Sequence, residues 1–315
     1  MPYTVRARGP LYTFEIKSTA LYDWHATLAT YSFGWQYDGA KGYVWLCKHC
    51  IAKIKPLDNH ANIYIYCESN DRCWEYAVNE LRDVLGVYED LSEYIRLGKG
   101  DPLVGGLLEA MPGLHLRRTS IWYAFLVAVC QQNASFKQGW NMLYKLHLIA
   151  SDRLIVEDKI FLEPPKPLNL NREVLRKAGL GYRASTVLEA VQKQVYNLSC
   201  DDIDRLEDVR GVGSYTLNLV RVLACRDYNA LPLDRWLKRL AAEAYNVQPN
   251  DVYGEFDRRF KSWKGLAAIH TTIAFDAEPL RRALERLKRG DNKPGLVEPS
   301  PRALQNYASP LLRTC

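Results

Sequence analysis

The first hundred residues alternate between runs of β-branched and aromatic residues and segments in which apolar residues recur at helical spacing. Strands are predicted at 11–16 (LYTFEI), 43–55 (YVWLCKHCIAKIK) and 62–67 (NIYIYC), because Tyr, Ile and Val favour extended backbone. The stretch Asp58-Asn59-His60 supplies turn chemistry before the last strand. Helical spacing over 20–30 and 74–88 predicts helices that cover one face of an antiparallel sheet.

Beyond residue 97 the pattern becomes almost entirely helical. The punctuation at 98–102 (GKGDP) separates the two regions, and the prolines at 164–167 (PPKP) form a stiff connector within the second. Helical spacing occurs at 120–130, 136–148, 172–180, 186–198, 201–206, 215–225, 235–245 and 279–289. The pattern predicts an α+β protein with an N-terminal antiparallel β domain with helices at 1–98 and a mostly α domain at 99–290. Residues 291–315, rich in Pro, Asn and Ser, are expected to form an extended or disordered tail.

Length and composition place the chain among ordinary globular proteins. It has 315 residues, of which 48% are hydrophobic and 25% charged, so disorder is excluded as its main state. No run of about eighteen apolar residues occurs, and the N-terminus (MPYTVRARGP) lacks the apolar stretch of a secretory signal. We therefore expect an intracellular protein with no membrane partner.

The net charge is weakly informative. Forty-two Lys and Arg against thirty-six Asp and Glu give a net charge of +6, which suits an anionic partner. Solubility alone explains such a balance equally well, so motifs must decide.

Eight cysteines occur in the chain, and Cys47, Cys50, Cys67 and Cys73 cluster in one stretch. The spacing of Cys47 and Cys50 could hold zinc, but the stretch resembles a β-hairpin, and residues three apart on a strand point to opposite faces. Zinc is therefore the weaker interpretation. A disulfide within the cluster would match the intracellular bridges of hyperthermophiles. Reduced cysteines packed in a core are the default expectation.

The stretch 206–216 (LEDVRGVGSYT) combines a short helix, a Gly211-Val212-Gly213 turn and the start of a second helix. The glycines allow a tight turn and close approach of a ligand, and the second helix presents free amides and the positive end of its dipole. Such an arrangement can bind phosphate. On the glycines alone, an ordinary helix–helix turn with Gly at a C-cap is the better interpretation.

The stretch 231–236 (LPLDRW) changes this balance. A turn fixed by proline leads into a helix whose first residues include the carboxylate of Asp234. An N-cap role is enough to explain such an aspartate by itself. A phosphate-binding turn followed by this aspartate is less common than either feature alone.

Together these residues resemble the helix-hairpin-helix DNA glycosylase superfamily, with Gly211-Val212-Gly213 as the hairpin and Asp234 as the catalytic aspartate. Segments similar to its 8-oxoguanine and 3-methyladenine branches occur at 112–118 (PGLHLRR), 129–133 (VCQQN) and 178–184 (AGLGYRA), and 30–35 (TYSFGW) resembles the start of their N-terminal β domain. The resemblance covers roughly residues 10–290. It implies a helix-hairpin-helix glycosylase domain at 99–290, a partner that is double-stranded DNA with a damaged base, and a monomer.

The resemblance also implies a reaction. A glycosylase of base-excision repair flips a damaged base out of the duplex and breaks its N-glycosidic bond, and Asp234 would stabilise the positive sugar and activate water. Members that also cleave the strand carry a nucleophilic lysine in the second helix of the hairpin. Tyr215 occupies that position here, which implies a monofunctional enzyme. Lys238, one helical turn beyond Asp234, is expected to be solvated or to face phosphate.

The identity of the base is less closely specified. Tyr215 resembles the alkylation-repair branch, in which aromatic faces stack on methylated bases. The N-terminal motif favours the 8-oxoguanine branch, which reads the base through a backbone carbonyl at the position of Thr30. The predicted substrate is thus an oxidised or alkylated purine, and Thr30, Phe33, Tyr215 and Trp236 are the expected base pocket.

Gln132 and Asn133 stand where the family places the side chain that fills the gap left by the flipped base or contacts the partner base. A polar pair that ends a buried helix is the equally weighted alternative. Cys315 is the only cysteine after Asp234, so the iron–sulfur cluster of some members is not expected, nor is another metal or cofactor.

Two other functions compete with this prediction. One is a bifunctional glycosylase and AP lyase with a displaced lysine. The other is a non-catalytic helix-hairpin-helix DNA-binding protein, which Asp234 argues against because a carboxylate repels the bound phosphate backbone.

Overall fold

The computed structural model describes residues 4–19, 21–31, 36–47, 49–68, 73–295 and 301. Phe33 and most of the predicted tail lie outside the described residues, as do the side chains of Cys47 and Cys73. No helix in the described part of the chain is both long enough and apolar enough to cross a membrane.

The N-terminal region is built on an antiparallel sheet of four strands. They are β2 (Arg8–Lys17), β3 (Gly42–Cys47), β4 (Cys50–Pro56) and β5 (His60–Cys67), in the order β2-β5-β4-β3. Ile54 pairs with Ile63, and both are fully buried with Leu28 and Leu85, which come from α1 (Trp24–Leu28) and α2 (Cys73–Leu85). The predicted antiparallel sheet is confirmed, and the long strand predicted at 43–55 is a hairpin.

A second, smaller sheet joins the two regions. Strand β1 (Thr4–Arg6) pairs in parallel with β6 (Arg153–Val156), which pairs antiparallel with β7 (Lys159–Leu162). Strands β6 and β7 lie within the region predicted to be mostly helical. Four-residue runs are too short for the alternation of polar and apolar residues to indicate a strand, and the partner strand β1 is about 150 residues away in sequence.

The rest of the chain is a helical unit around one large core. Its helices are α3 (Ser92–Gly98), α4 (Gly105–Ala110), α5 (Ile121–Gln131), α6 (Phe136–Ala150), α7 (Arg172–Lys177), α8 (Arg183–Gln192), α9 (Ser214–Cys225), α10 (Arg235–Tyr245), α11 (Val252–Phe260), α12 (Lys264–Ala274) and α13 (Leu280–Lys288). Helix α5 is the centre of this unit, because every side chain from position 121 to 130 is buried. The α+β class predicted from the sequence is confirmed.

Some helical predictions were wrong in type or missing. The segment predicted as a helix at 201–206 is the 3-10 helix Ile203–Asp208. Helix α12 escaped prediction because all but one of its residues are buried, which leaves no polar face to create a helical period. Glycines at the end of α3 and the start of α4 similarly obscure their spacing.

The expectation of reduced cysteines was wrong for four of them. Cys50 faces Cys67 across β4 and β5, and the two form a disulfide. A second disulfide, which the sequence analysis did not predict, joins Cys200 to Cys225. Cys130 is free and buried, as expected. Among the described residues, no cluster of three metal-ligating side chains occurs.

Candidate active site and DNA interface

The predicted hairpin connects the 3-10 helix Ile203–Asp208 to helix α9. Gly211 has a φ of +90°, a conformation that L side chains rarely adopt, and a Cβ there would lie 2.5 Å from the hydroxyl oxygen of Thr186. The amide of Val212 donates to the carbonyl oxygen of Val209 over 3.0 Å, which closes the turn. The turn therefore requires glycine at its first position.

The start of α9 has the properties of an anion-binding site. Its N-cap is Gly213, which offers no side chain to accept from the first-turn amides. Gly211, Gly213 and Ser214 are exposed, so the backbone of this turn is accessible to a ligand. Free amides and the positive end of the helix dipole together favour phosphate at this position.

Gln132 and Asn133 differ in their surroundings. The Gln132 side-chain amide donates to the carbonyl oxygen of Gly211 over 3.0 Å and to the Thr216 hydroxyl over 2.7 Å. The backbone carbonyl oxygen of Gln132 accepts from the Arg183 Nε over 3.1 Å. Asn133 is exposed with a φ of +45°, and its side chain donates to the Tyr182 hydroxyl over 3.2 Å. Gln132 is thus bound to the hairpin, whereas Asn133 projects beside it.

Asp234 is the N-cap of α10, and its Oδ1 accepts from the Leu237 amide over 2.7 Å. Burial raises the pKa of this carboxyl above its usual value, and the backbone hydrogen bonds from Leu237 and Trp236 oppose that rise. A carboxylate of raised pKa beside a cavity can accept a proton more readily than an exposed one. The capping role and a chemical role are compatible, because one oxygen suffices for the cap.

Asp234 lies where two depressions of the surface meet. One is a cavity of about 400 Å³ with aromatic walls formed by Tyr31, Phe136, Tyr215 and Trp236. The other is a groove of about 780 Å³ lined by the hairpin glycines, Gln132, Asn133, Tyr182, Arg235 and Arg239. Asp234, Tyr215 and Trp236 line both. The cavity is large enough for a purine base, and the groove leads from it to the hairpin.

The structure brings most of the predicted site residues together at this junction. Thr30 is placed differently: it is 2% exposed, and its hydroxyl donates to the Ala26 carbonyl. The neighbouring Tyr31 lines the cavity instead. Tyr31, Lys137 and Asp276 also line the cavity and were not predicted from the sequence. Tyr31 belongs to the 30–35 motif and Lys137 follows Asn133 closely, so their positions near recognised motifs could have indicated them. Asp276 follows α12, which was not predicted, so no motif indicated it.

Burial and neighbouring charges change the pKa values of the tyrosines that line the cavity. Burial raises the pKa of the Tyr31 phenol, and the charge of Asp234 adds to this rise. Burial also raises the pKa of Tyr215, with smaller contributions from Tyr31 and then Asp234, so both phenols are neutral at physiological pH. Lys238 donates to the Asn250 side chain over 3.0 Å, which directs its amine to a surface partner. Lys137 lines the cavity, and Arg235 and Arg239 make the groove basic.

Comparison with known proteins identifies the fold. No protein-family model and no curated protein matches the chain. Among solved structures, MBOgg1 in complex with a low-affinity DNA ligand is similar over 90% of this chain and 99% of its own, with a TM-score of 0.66 and 19% identity.

Two further enzymes are similar. The apo form of the 8-oxoguanine glycosylase/lyase of Clostridium acetobutylicum covers 86% of this chain and 99% of its own, with a TM-score of 0.63 and 15% identity. The 3-methyladenine DNA glycosylase of Archaeoglobus fulgidus covers 82% and 96%, with a TM-score of 0.66 and 18% identity. The chain therefore has the fold of the helix-hairpin-helix DNA glycosylases, and the resemblance seen in the sequence is confirmed at the level of the fold.

Proposed function

We propose that this chain is a DNA glycosylase of base-excision repair that flips a damaged purine from duplex DNA and hydrolyses its N-glycosidic bond. The observation that carries the proposal is the position of Asp234, at the junction of a cavity of purine size and a basic groove that contains the hairpin. Base excision must position three parts of the DNA together: the base in the cavity, its sugar beside Asp234 and the phosphate backbone in the groove.

The groove residues divide the task of holding DNA. The amides at the start of α9 bind one phosphate of the damaged strand, and Arg235 and Arg239 add charge along the groove. Asn133, exposed and left-handed beside the hairpin, fills the gap that the flipped nucleotide leaves. Gln132 instead keeps the hairpin turn in place, because its amide is bound to Gly211 and Thr216.

Asp234 supplies the chemistry. As the bond between C1′ and the base nitrogen breaks, its electron pair leaves with the base and positive charge grows on the sugar, which the carboxylate stabilises. Water then forms a bond to C1′ and gives its proton to the carboxylate, which passes the proton to the departed base or to solvent and is restored. The raised pKa of Asp234 favours this proton transfer.

The walls of the cavity suit an oxidised or alkylated purine. Tyr31, Phe136, Tyr215 and Trp236 offer aromatic faces for stacking, which is strongest on electron-poor methylated bases. The similar structures include a glycosylase for each class, one for 8-oxoguanine and one for 3-methyladenine. Both classes therefore belong in the first test.

A panel of labelled duplexes tests the proposal. Each duplex carries one lesion (8-oxoguanine, hypoxanthine, uracil or a methylated purine), and strand cleavage is measured with and without alkali for wild type and Asp234→Asn. We expect alkali-dependent cleavage of at least one purine lesion that the substitution abolishes while duplex affinity is retained. Asp251→Asn, an exposed aspartate next to the start of α11, is the matched control and should behave as wild type. Duplex binding with no cleavage of any lesion would favour the non-catalytic module.

A second candidate, the bifunctional glycosylase and AP lyase, is favoured by one observation. Tyr215 stands at the lysine position of the hairpin, which supports a monofunctional enzyme, but Lys137 places an amine at the cavity. Attack of that amine on C1′ would expel the base and form an imine, which borohydride reduces to a stable amine. We expect no borohydride-trapped complex with wild type. A trapped complex that Lys137→Gln abolishes would establish the lyase instead.

A further inference from the structure

The backbone around the cavity is held in an unusual conformation. Three of its lining residues are left-handed without being glycine: Tyr31 with a φ of +56°, Asp276 with +53° and Ala277 with +48°. Each such residue costs free energy and persists only where the surrounding structure holds it in place. The contacts that hold these residues therefore shape the cavity.

Two of the three are held by the C-terminal segment, defined here as residues 291–295 and Pro301. The Tyr31 amide donates to the carbonyl oxygen of Pro301 over 2.7 Å, and Pro301 is buried. The Gly295 amide donates to the Asp276 Oδ2 over 2.5 Å. The C-terminal segment thus contacts two residues of the cavity wall, Tyr31 and Asp276, that are distant from each other in sequence.

Arg286 joins the C-terminal segment to the loop that follows α12. This arginine is 6% exposed and donates to the Asp276 carboxylate over 2.9 Å and to the Ala274 carbonyl over 3.0 Å. The same guanidinium donates to Asp291 over 3.1 Å and to the carbonyl oxygen of Lys293. One buried cation therefore fixes both the cavity loop and the first residues of the C-terminal segment.

The loop is in turn connected to the helix that begins with the candidate catalytic residue. The Trp236 indole N–H donates to the Glu278 carbonyl over 2.8 Å, and Trp236 is two residues after Asp234. A displacement of the loop would move a cavity wall and the first turn of α10 together.

On its other side the C-terminal segment is anchored to the helical unit. The Asn292 side chain donates to the carbonyl oxygens of Asp101 and Pro102 over 3.3 and 3.1 Å. It packs against α4 so closely that a Cβ at Gly106 would lie 2.0 Å from the Asn292 side-chain oxygen. The segment thus contacts the helical unit through Asn292 and the cavity wall through Gly295 and Pro301.

We propose that the C-terminal segment is a positioning element of the base pocket: it holds Tyr31 and the Asp276 loop in their left-handed conformations and so sets the shape of the cavity. Its effect on catalysis rests on the proposed function, whereas its effect on the cavity does not. Residues 291–295 and Pro301 act through Tyr31 and Asp276 and are not themselves catalytic residues.

Three chain lengths test this inference: the full chain, a chain that ends at Gly290, and a control that ends at Arg302 and so keeps Pro301. Hydrogen–deuterium exchange is read at the Tyr31 amide and in the loop 274–278. We expect exchange at Tyr31 to rise at least about tenfold in the chain that ends at Gly290, as the loss of a hydrogen bond predicts, and to be unchanged in the control. Unchanged exchange in the shortest chain would overturn the inference.

Excision supplies a second readout. In the chain that ends at Gly290 we expect single-turnover excision to slow by about tenfold to a hundredfold, because misplaced cavity walls orient the base poorly. Affinity for a duplex with an abasic-site analogue should stay within about twofold, because the phosphate-binding amides at the start of α9 are kept. An equal loss of affinity and excision would indicate general destabilisation and contradict a positioning role.

A matched pair of substitutions avoids the risk that the shortest chain fails to fold. Gly295→Pro removes the amide that binds Asp276, and Gly295→Ala keeps it. We expect faster exchange in 274–278 and slower excision for the proline variant alone, and identical behaviour of the two variants would count against the inference. If the full chain excises no lesion, the proposed function fails, and exchange still decides whether the C-terminal segment holds the cavity.

Discussion

The side-chain amide of Gln132 lies 3.0 Å from the carbonyl oxygen of Gly211 and donates a hydrogen bond to it. Gln132 is the C-cap of the buried helix α5, so the end of this helix is bonded to the left-handed glycine of the hairpin turn. The neighbouring Asn133 remains exposed. Two adjacent polar residues with the same side-chain chemistry thus have different surroundings, one bound to the hairpin and one exposed beside it.

Substitution of Gln132 by Ala should weaken the hairpin. The variant loses hydrogen bonds to Gly211 and Thr216, so the free energy of unfolding should fall by about 1–2 kcal/mol. Duplex affinity should fall by a similar factor for damaged and undamaged DNA, because the phosphate contact is independent of the base. Urea unfolding and fluorescence anisotropy measure the two effects.

Substitution of Asn133 by Gly should slow excision and leave the stability of the fold nearly unchanged. Glycine keeps the left-handed backbone and removes only the side chain, so stability should change by less than about 0.5 kcal/mol. Excision should slow roughly tenfold, because the unstacked gap then lacks a filler. A normal excision rate for this variant would mean that another residue fills the space left by the flipped base.

Asp234→Asn should abolish excision and preserve or increase stability. Asparagine caps a helix about as well as aspartate, so the bond from the Leu237 amide is kept. Removal of a buried carboxylate should raise the free energy of unfolding by up to about 1 kcal/mol at neutral pH, while the excision rate falls at least about a thousandfold. Thermal unfolding and single-turnover kinetics on the same preparation measure both. A destabilised variant would mean that the carboxylate serves mainly the fold.

The raised pKa of Asp234 predicts an acid limit on activity. The proposed reaction requires the ionised carboxylate, so the excision rate should fall as the pH drops through a midpoint above about 4, the ordinary value for aspartate. Because the folded-state pKa is raised, ionisation destabilises the fold, and this cost disappears as the pH falls through that pKa. The stability advantage of Asp234→Asn should therefore shrink on acidification. Duplex affinity measured over the same range separates loss of chemistry from loss of binding.

The parts of the site that were predictable from the sequence depend on local geometry. Gly211, Gly213 and Asp234 mark a turn and two helix starts, and such positions restrict residue type strongly enough to be recognised one segment at a time. The antiparallel sheet was also predictable from local sequence, because its strands are long and rich in β-branched residues.

The remaining parts depend on contacts between distant segments. The pairing of β1 with β6, the bond from Tyr31 to Pro301 and the contacts of Asp276 with Arg286 and Gly295 leave no periodic trace in the sequence. Tertiary packing alone places Tyr31, and not Thr30, in the cavity wall. The fold was thus more predictable than the shape of the pocket.

The Cys200–Cys225 disulfide encloses the whole hairpin, because its two ends lie just before the 3-10 helix Ile203–Asp208 and at the end of α9. Its bridge spans 25 residues, so Cys200→Ser combined with Cys225→Ser should lower the free energy of unfolding by about 3 kcal/mol. Cys200 is exposed, whereas Cys50 and Cys67 are each 1% exposed, so a dithiol should reduce the first bridge before the second in the folded protein.

Alkylation after timed reduction, read by mass spectrometry, gives the order in which the two bridges open. A dithiol should also lower the stability of the wild type and leave that of the double variant unchanged, because the variant has no hairpin bridge to lose. Duplex affinity should fall in parallel with reduction of the Cys200–Cys225 bridge, since a hairpin released at its base must be reordered when it binds phosphate. Affinity that stays constant while the bridge opens would show that Gln132 holds the hairpin without help from the disulfide.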